Sequence, residues 1–235
     1  MTVELARRLR EGTAEVHRAA ERMTLIQALL RGLADRLTYA ALVAAYLEIY
    51  GALEAALRGR ADDPVLAPLV LPELWRCEAL AGDLGALVGD GPPPRRSAAA
   101  RAYADRIRGL AAGDPALLVA HAYTRYLGDL AGGQVLGRII GRALDLRPGA
   151  GLDFYVFPKI EDLPGYRDAY RRSLDALPID VATAARIVDE ARAAFSCNMA
   201  VFAELEGSAL RGLVRLVKGR RRGAKGHSEQ APAAA

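Results

Sequence analysis

Between His121 and Gly141 the chain reads HAYTRYLGDLAGGQVLGRIIG, which sets Gly128, Gly132, Gly133, Gly137 and Gly141 into an otherwise helical pattern. A glycine inside a helix costs about 1 kcal/mol against alanine, so something in the folded protein must offset this run. Three readings stay open. The glycines allow close helix packing, they mark a break between two helices near Gly132, or they let bare backbone lie against a flat ligand and bend over it. Gly128 and Gly132 stand one turn apart and share a face.

The remainder of the chain has to supply partners for that segment, and it too reads as helix. Alanine, leucine and arginine dominate while β-branched and aromatic residues are sparse, so an all-α fold is expected. Apolar spacing predicts a first helix from about Val3 to Arg31, with Leu5, Leu9, Val16 and Ala20 on one face. A second runs from Arg36 to Arg58 through Tyr39, Leu42, Val43, Tyr46, Ile49, Tyr50 and Leu53. Pro64, Pro68 and Pro72 interrupt the pattern before a shorter helix that includes Trp75, and Gly91 to Pro94 interrupts it again. A helix carrying Tyr103, Ile107 and Leu110 ends near Gly113. Asp114-Pro115 is then a start signal, an N-cap acceptor followed by proline at the first helical position, for a pattern that continues to about Leu144. Helices from about Tyr166 to Leu177 and from Asp180 to about Val217 complete the set.

With 235 residues and 52% hydrophobic content, one core and one domain are expected, spanning 1–217. The net charge of +4 comes in good part from Lys218 to Lys225. The stretch 218–235 is read as a disordered, solubilising tail, and no nucleic-acid partner is expected. The first fifteen residues, rich in arginine and glutamate, do not read as a signal peptide, and no run of about 18 uncharged apolar residues suggests a membrane anchor. A cytoplasmic monomer is the expectation. Cys77 and Cys197 form no CxxC pair and read as reduced, buried, small apolar residues.

Only His17 and His121 lie within the expected domain, and neither completes an ExxH pair, which disfavours a di-iron carboxylate bundle and any zinc site needing several histidines. His17 borders the apolar face of the first helix, with Thr13 a turn before and Glu21 a turn after. It is either an ordinary structural histidine or a ligand to a group that asks the protein for one nitrogen. Heme is such a group, because its ring fills the four equatorial positions of the iron; Glu21 would then accept the other ring N–H. Arg125 lies four residues before Asp129, so the two can pair or share water. Phe195, Asn198, Met199 and Phe202 form a stripe on the last helix, in which Asn198 needs a hydrogen-bond partner. Arg167 and Arg171 are either two solvated charges or a fork for a dianion.

These residues resemble the heme oxygenase family from about Leu5 to Leu210. The segment LLVAHAYTRYLGDLAGGQVL, Leu117 to Leu136, is similar to the family signature almost throughout. TAEVHRAAE around His17, YLEIYGALE from Tyr46 to Glu54 and AFSCNMAVFAEL from Ala194 to Leu205 support it. The resemblance implies a single-domain multi-helix fold with heme sandwiched between a proximal helix and a kinked distal helix. By position it makes His17 the proximal iron ligand, with Gly128, Asp129 and Gly132 on the distal helix. Arg10, Tyr123, Arg167 and Arg171 match positions that contact or neutralise the propionates, Phe195 and Phe202 join the heme-binding set, and Tyr50, Thr124, Arg125 and Asn198 match positions that hold a distal water network. At Ala14 relatives often carry a lysine, a departure that bears on one propionate contact.

The implied activity is cleavage of heme b, substrate and cofactor at once, at the α-meso carbon to biliverdin, carbon monoxide and ferrous iron. It draws on O2 and on electrons from a redox partner, a ferredoxin or a flavin/NAD(P)H reductase. Asp129 would deliver protons through ordered water, and regioselectivity would follow from positioning. A heme carrier without catalysis, and a helical hydrolase or oxidase on a similar scaffold, are the rival classes.

Overall fold

The computed structural model describes residues 3–226, with side chains as far as residue 206. Its principal helices are α1 (Leu5–Glu21), α2 (Thr24–Leu30), α3 (Arg36–Arg58), α4 (Cys77–Val88), α5 (Ala98–Gly113), α6 (Leu118–Ala122), α7 (Gln134–Leu144), α8 (Leu163–Asp175) and α9 (Val181–Gly226). Among the described residues β pairing is limited to isolated bridges from Arg147 to Ala150 and Gly151, so the all-α expectation holds. α9 continues to Gly226, past the end expected near Val217, so the first half of the expected disordered tail is helical backbone; 227–235 lie outside the described residues.

The core forms around α3, which packs on α4, α5, α6 and α9. Tyr39, Leu42, Ile49, Tyr50, Leu53 and Leu57 on this helix are buried almost completely. Burial of a side chain such as Ile49 or Leu53 contributes roughly 1.5–3 kcal/mol, which is why this helix is central. α3 is long and apolar enough to reach across a bilayer, but Glu48 and Glu54 interrupt it, as the absence of a long uncharged run implies, and its apolar character is what a central core helix needs.

Three further boundaries differ from the sequence reading. The first helix is two helices, because Met23 is extended (φ −63°, ψ 143°) and the start of α2 is capped from afar, the N–H of Leu25 donating to Glu206 at 2.6 Å. Trp75 is extended and precedes α4 rather than lying in it, because the carboxylate of buried Glu54 on α3 accepts the N–H groups of Arg76 and Cys77 and fixes the helix start there. Asp114 does not cap the helix that follows; its carboxylate is taken by Arg186 of α9, and Pro115–Leu117 form a 3-10 turn.

The glycine segment is continuous but bent. After α6 come two π-helical turns, Tyr123–Leu127 and Asp129–Gly133, before α7 resumes. Each π turn inserts an extra residue into the helical repeat, which widens and redirects the helix. The glycines divide by role. A Cβ on Gly137 would lie 2.6 Å from the Tyr155 ring, and one on Gly141 would lie 2.8 Å from Leu152, so these two permit close packing. A Cβ on Gly128 or Gly132 would meet nothing within 4 Å.

Candidate functional site

The open space beside Gly128 and Gly132 is a cavity of about 880 Å3, at the upper end of the range for small-molecule pockets. α1 contributes His17 and Ala20 to its lining, and the π-turn segment contributes Gly128, Asp129 and Gly132. α1 is carried by α9, α8 and α2. α9 packs against both α1 and the first π turn, so it ties the two sides of the cavity together. Ile26 and Leu30 of α2, Leu127, Leu136, and Phe195 and Phe202 of α9 give the slot an apolar lining.

His17 is held loosely at the edge of that slot. Its Nδ1 lies 3.5 Å from Glu21, which leaves Nε2 as the ring nitrogen without a carboxylate partner, and Phe195 meets the imidazole edge-on with centroids 5.6 Å apart. Arg10, Arg171 and Tyr123 line the cavity together; burial raises the Tyr123 phenol, against the opposing pull of Thr13, Arg171 and Arg10. Arg171 also pairs with Asp168 at 2.6 Å. Arg167 lies off the cavity wall with its Nε buried and unbonded, so only one arm of the expected arginine fork reaches the cavity.

On the π-turn side a buried polar network backs the glycines. The Tyr50 hydroxyl donates to Asp129, Arg125 Nε donates to Tyr50 at 3.1 Å, and Arg125 Nη1 donates to the Asn198 carbonyl at 2.7 Å. The Arg125 guanidinium also lies over the rings of Tyr46 and Tyr50, at 4.2 and 4.8 Å. Arg125 thus reaches Asp129 through Tyr50, while Asn198 has the partner its burial demands. Thr124 donates to the Ala120 carbonyl at 2.8 Å. Asp129 borders the cavity and is 7% exposed. Burial pushes its carboxyl up to about 6, against the opposing pull of Arg125, Tyr50 and Arg76.

Of the residues singled out from sequence, Arg10, His17, Glu21, Tyr123, Thr124, Arg125, Gly128, Asp129, Gly132, Arg171, Phe195 and Phe202 border one cavity. Tyr50 and Asn198 stand behind it, joined to it by hydrogen bonds. Sequence reasoning missed Phe154 and Tyr155, which line the cavity from a single 3-10 turn, Asp153–Tyr155. The buried Asp83 carboxylate accepts the N–H groups of Asp153 and Phe154, both at 2.8 Å, and Gln134 donates to the Tyr155 carbonyl at 2.8 Å. No helical periodicity could reveal that wall; DFYV is a short apolar run with no pattern of its own. Among the described residues no group of three or more His, Cys, Asp or Glu side chains could hold a metal ion.

The family described as Heme oxygenase matches residues 3–204 of the chain. Heme oxygenase 1 of Synechocystis sp. is 43% identical over 215 residues, covering 91% of this chain and 89% of the relative. The crystal structure of heme oxygenase-1 from the cyanobacterium Synechocystis sp. in complex with heme superposes with a TM-score of 0.86 at 42% identity, covering 92% of this chain and 99% of that one. The structure of heme oxygenase from Leptospira interrogans gives 0.81 at 40% identity, covering 86% and 99%. Fold and cavity together define an all-helical protein whose apolar cavity is lined by His17 and by a pair of π turns. The chain belongs to the heme oxygenase family.

Proposed function

We propose that the slot binds heme as substrate and cofactor, and that the chain opens the ring at the α-meso carbon to biliverdin, carbon monoxide and ferrous iron. The cavity-facing emptiness at Gly128 and Gly132 carries this reading, because a plate as wide as a porphyrin needs backbone without side chains along one face. The residues present fit the group: one imidazole, an apolar lining, and cations in that lining for two carboxylates.

When bound, heme supplies the iron that activates O2 and the carbon that is oxidised. The chain supplies placement, exclusion of bulk water and protons. His17 holds the iron through Nε2 while Glu21 accepts the Nδ1 proton and fixes the tautomer. Arg10, Tyr123 and Arg171 bind the propionates and set the rotation of the ring in the slot. Gly128 and Gly132 keep the distal backbone close, so that only one meso edge has room for the reaction. Tyr50 occupies Asp129 Oδ2, which leaves Oδ1 to hold a water on the cavity side and pass a proton through it. Electrons come from a ferredoxin or a flavin reductase using NAD(P)H. The working unit is a cytoplasmic monomer whose functional domain is 1–217.

Mixing the protein with hemin should give a Soret band, and adding reductant and oxygen should then replace it with biliverdin absorbance. A Soret band that persists under reductant and air would mean a carrier rather than an enzyme.

A further inference from the structure

A second buried polar cluster lies along the same helical seam as the Asp129 network. His121 on α6 is fully buried, with Nε2 2.9 Å from Glu190 of α9 and Nδ1 3.2 Å from the Tyr103 hydroxyl of α5. Glu190 also takes two bonds from Arg106 of α5, both 2.6 Å. Burial alone would raise the Glu190 carboxyl, but its bonds from His121 and Arg106 hold it down at about 2, so it is ionised. Burial keeps His121 neutral. The hydrogen-bond pattern follows: Nε2–H donates to the carboxylate, and the Tyr103 hydroxyl donates to Nδ1.

Two helical rulers link this cluster to the cavity. Arg125 follows His121 by four residues on one strand of the seam, and Asn198 follows Glu190 by eight on the other. α6 and the π turn that follows it both pack on α9, so the His121–Glu190 and Arg125–Asn198 contacts lie along one continuous interface. Their 2.7 Å contact is made from the π turn Tyr123–Leu127, which follows directly on α6, so the clamp at His121 holds the α-helical turn from which that π turn starts. We infer that His121 is a positioning residue: clamped between Tyr103 and Glu190, it sets the register of the distal segment against α9, holding Arg125 on Asn198 and Tyr50 and so Tyr50 on Asp129. Its consequence for catalysis rests on the role given to Asp129 above, whereas the register itself does not.

The charged and titratable groups facing Asp129 are Arg125 on its own segment, Tyr46 and Tyr50 on α3, Arg76 ahead of α4, Tyr155 in the cavity lining, and Tyr126. Of these, Arg125 and Tyr50 depend on the seam. Their displacement removes two of the three groups that favour the charged carboxyl and leaves only Arg76.

The test is a carbon-13 NMR titration of the Asp129 carboxyl in heme-free protein, which reads the register without calling on turnover. His121→Phe is expected to raise the midpoint by about one unit, as loss of a nearby cation does. His121→Gln, which keeps an amide donor for Glu190 and a carbonyl for Tyr103, should return it to the parent value. Tyr103→Phe removes one bond at little cost in shape and should move the midpoint in the same direction by less, which decides the matter should His121→Phe not fold. A folded His121→Phe or Tyr103→Phe protein with a lower Tm but an unmoved midpoint would overturn the inference, leaving His121 a packing residue. Moved midpoints with unchanged ring opening would instead count against the role of Asp129.

Discussion

Gly128→Leu is expected to fold at least as stably as the parent and to bind heme about 10- to 100-fold more weakly. The new side chain has open space to enter, and leucine in place of glycine favours the helix by about 1 kcal/mol, so thermal unfolding should not fall. That space is the slot itself. Overpacking by a side chain of this size costs roughly 1–3 kcal/mol, and here the cost falls on the ligand rather than on the fold. Gly137→Ala is the contrasting case. Its methyl would sit 2.6–2.9 Å from Tyr155 atoms, so the expected loss is about 1–3 kcal/mol of stability. Hemin titration and thermal unfolding of the two variants check both expectations. Destabilised Gly128→Leu with parental heme affinity would show that the glycine face does not border the ligand.

Asp129→Asn is expected to slow ring opening by about 100-fold or more, the usual contribution of a positioned acid or base. Its carboxyl, raised to about 6, keeps its proton over a range where an ordinary aspartate near pH 4 has lost it. As a proton donor it should give a parent rate that declines with rising pH through about 6, under conditions where proton delivery limits turnover. The asparagine variant keeps the shape but cannot titrate, so its slower rate should be flat across that range. Single-turnover rates between pH 5 and 8 measure both effects, and a parental profile in Asp129→Asn would remove Asp129 from the proton path.

What the sequence disclosed depended on where each helix finds its cap. The start of α3 was read correctly, and there Asp35 caps Thr38 at 2.7 Å; at α9, Asp180 caps Thr183 at 2.7 Å. Those acceptors are three residues from the groups they satisfy and can be read from a window of sequence. Where the cap comes from another helix, as Glu206 does for α2 and Glu54 for α4, the start was misplaced. The candidate site follows the same division. His17, Gly128, Asp129 and Gly132 were legible through unusual residues in helical patterns and through the family signature. Phe154 and Tyr155 were not, since only tertiary bonds from Asp83 and Gln134 hold them at the cavity. The glycine run kept more than one reading because it has two functions: Gly137 and Gly141 serve packing, whereas Gly128 and Gly132 face open space.

The sandwich of a ligand between His17 and bare distal backbone is tested most directly by resonance Raman spectroscopy of the ferrous heme complex. The parent should show an iron–imidazole stretch, His17→Ala should lack it, and added imidazole should restore it. An unchanged stretch in His17→Ala would place the iron ligand elsewhere and contradict the proposed site.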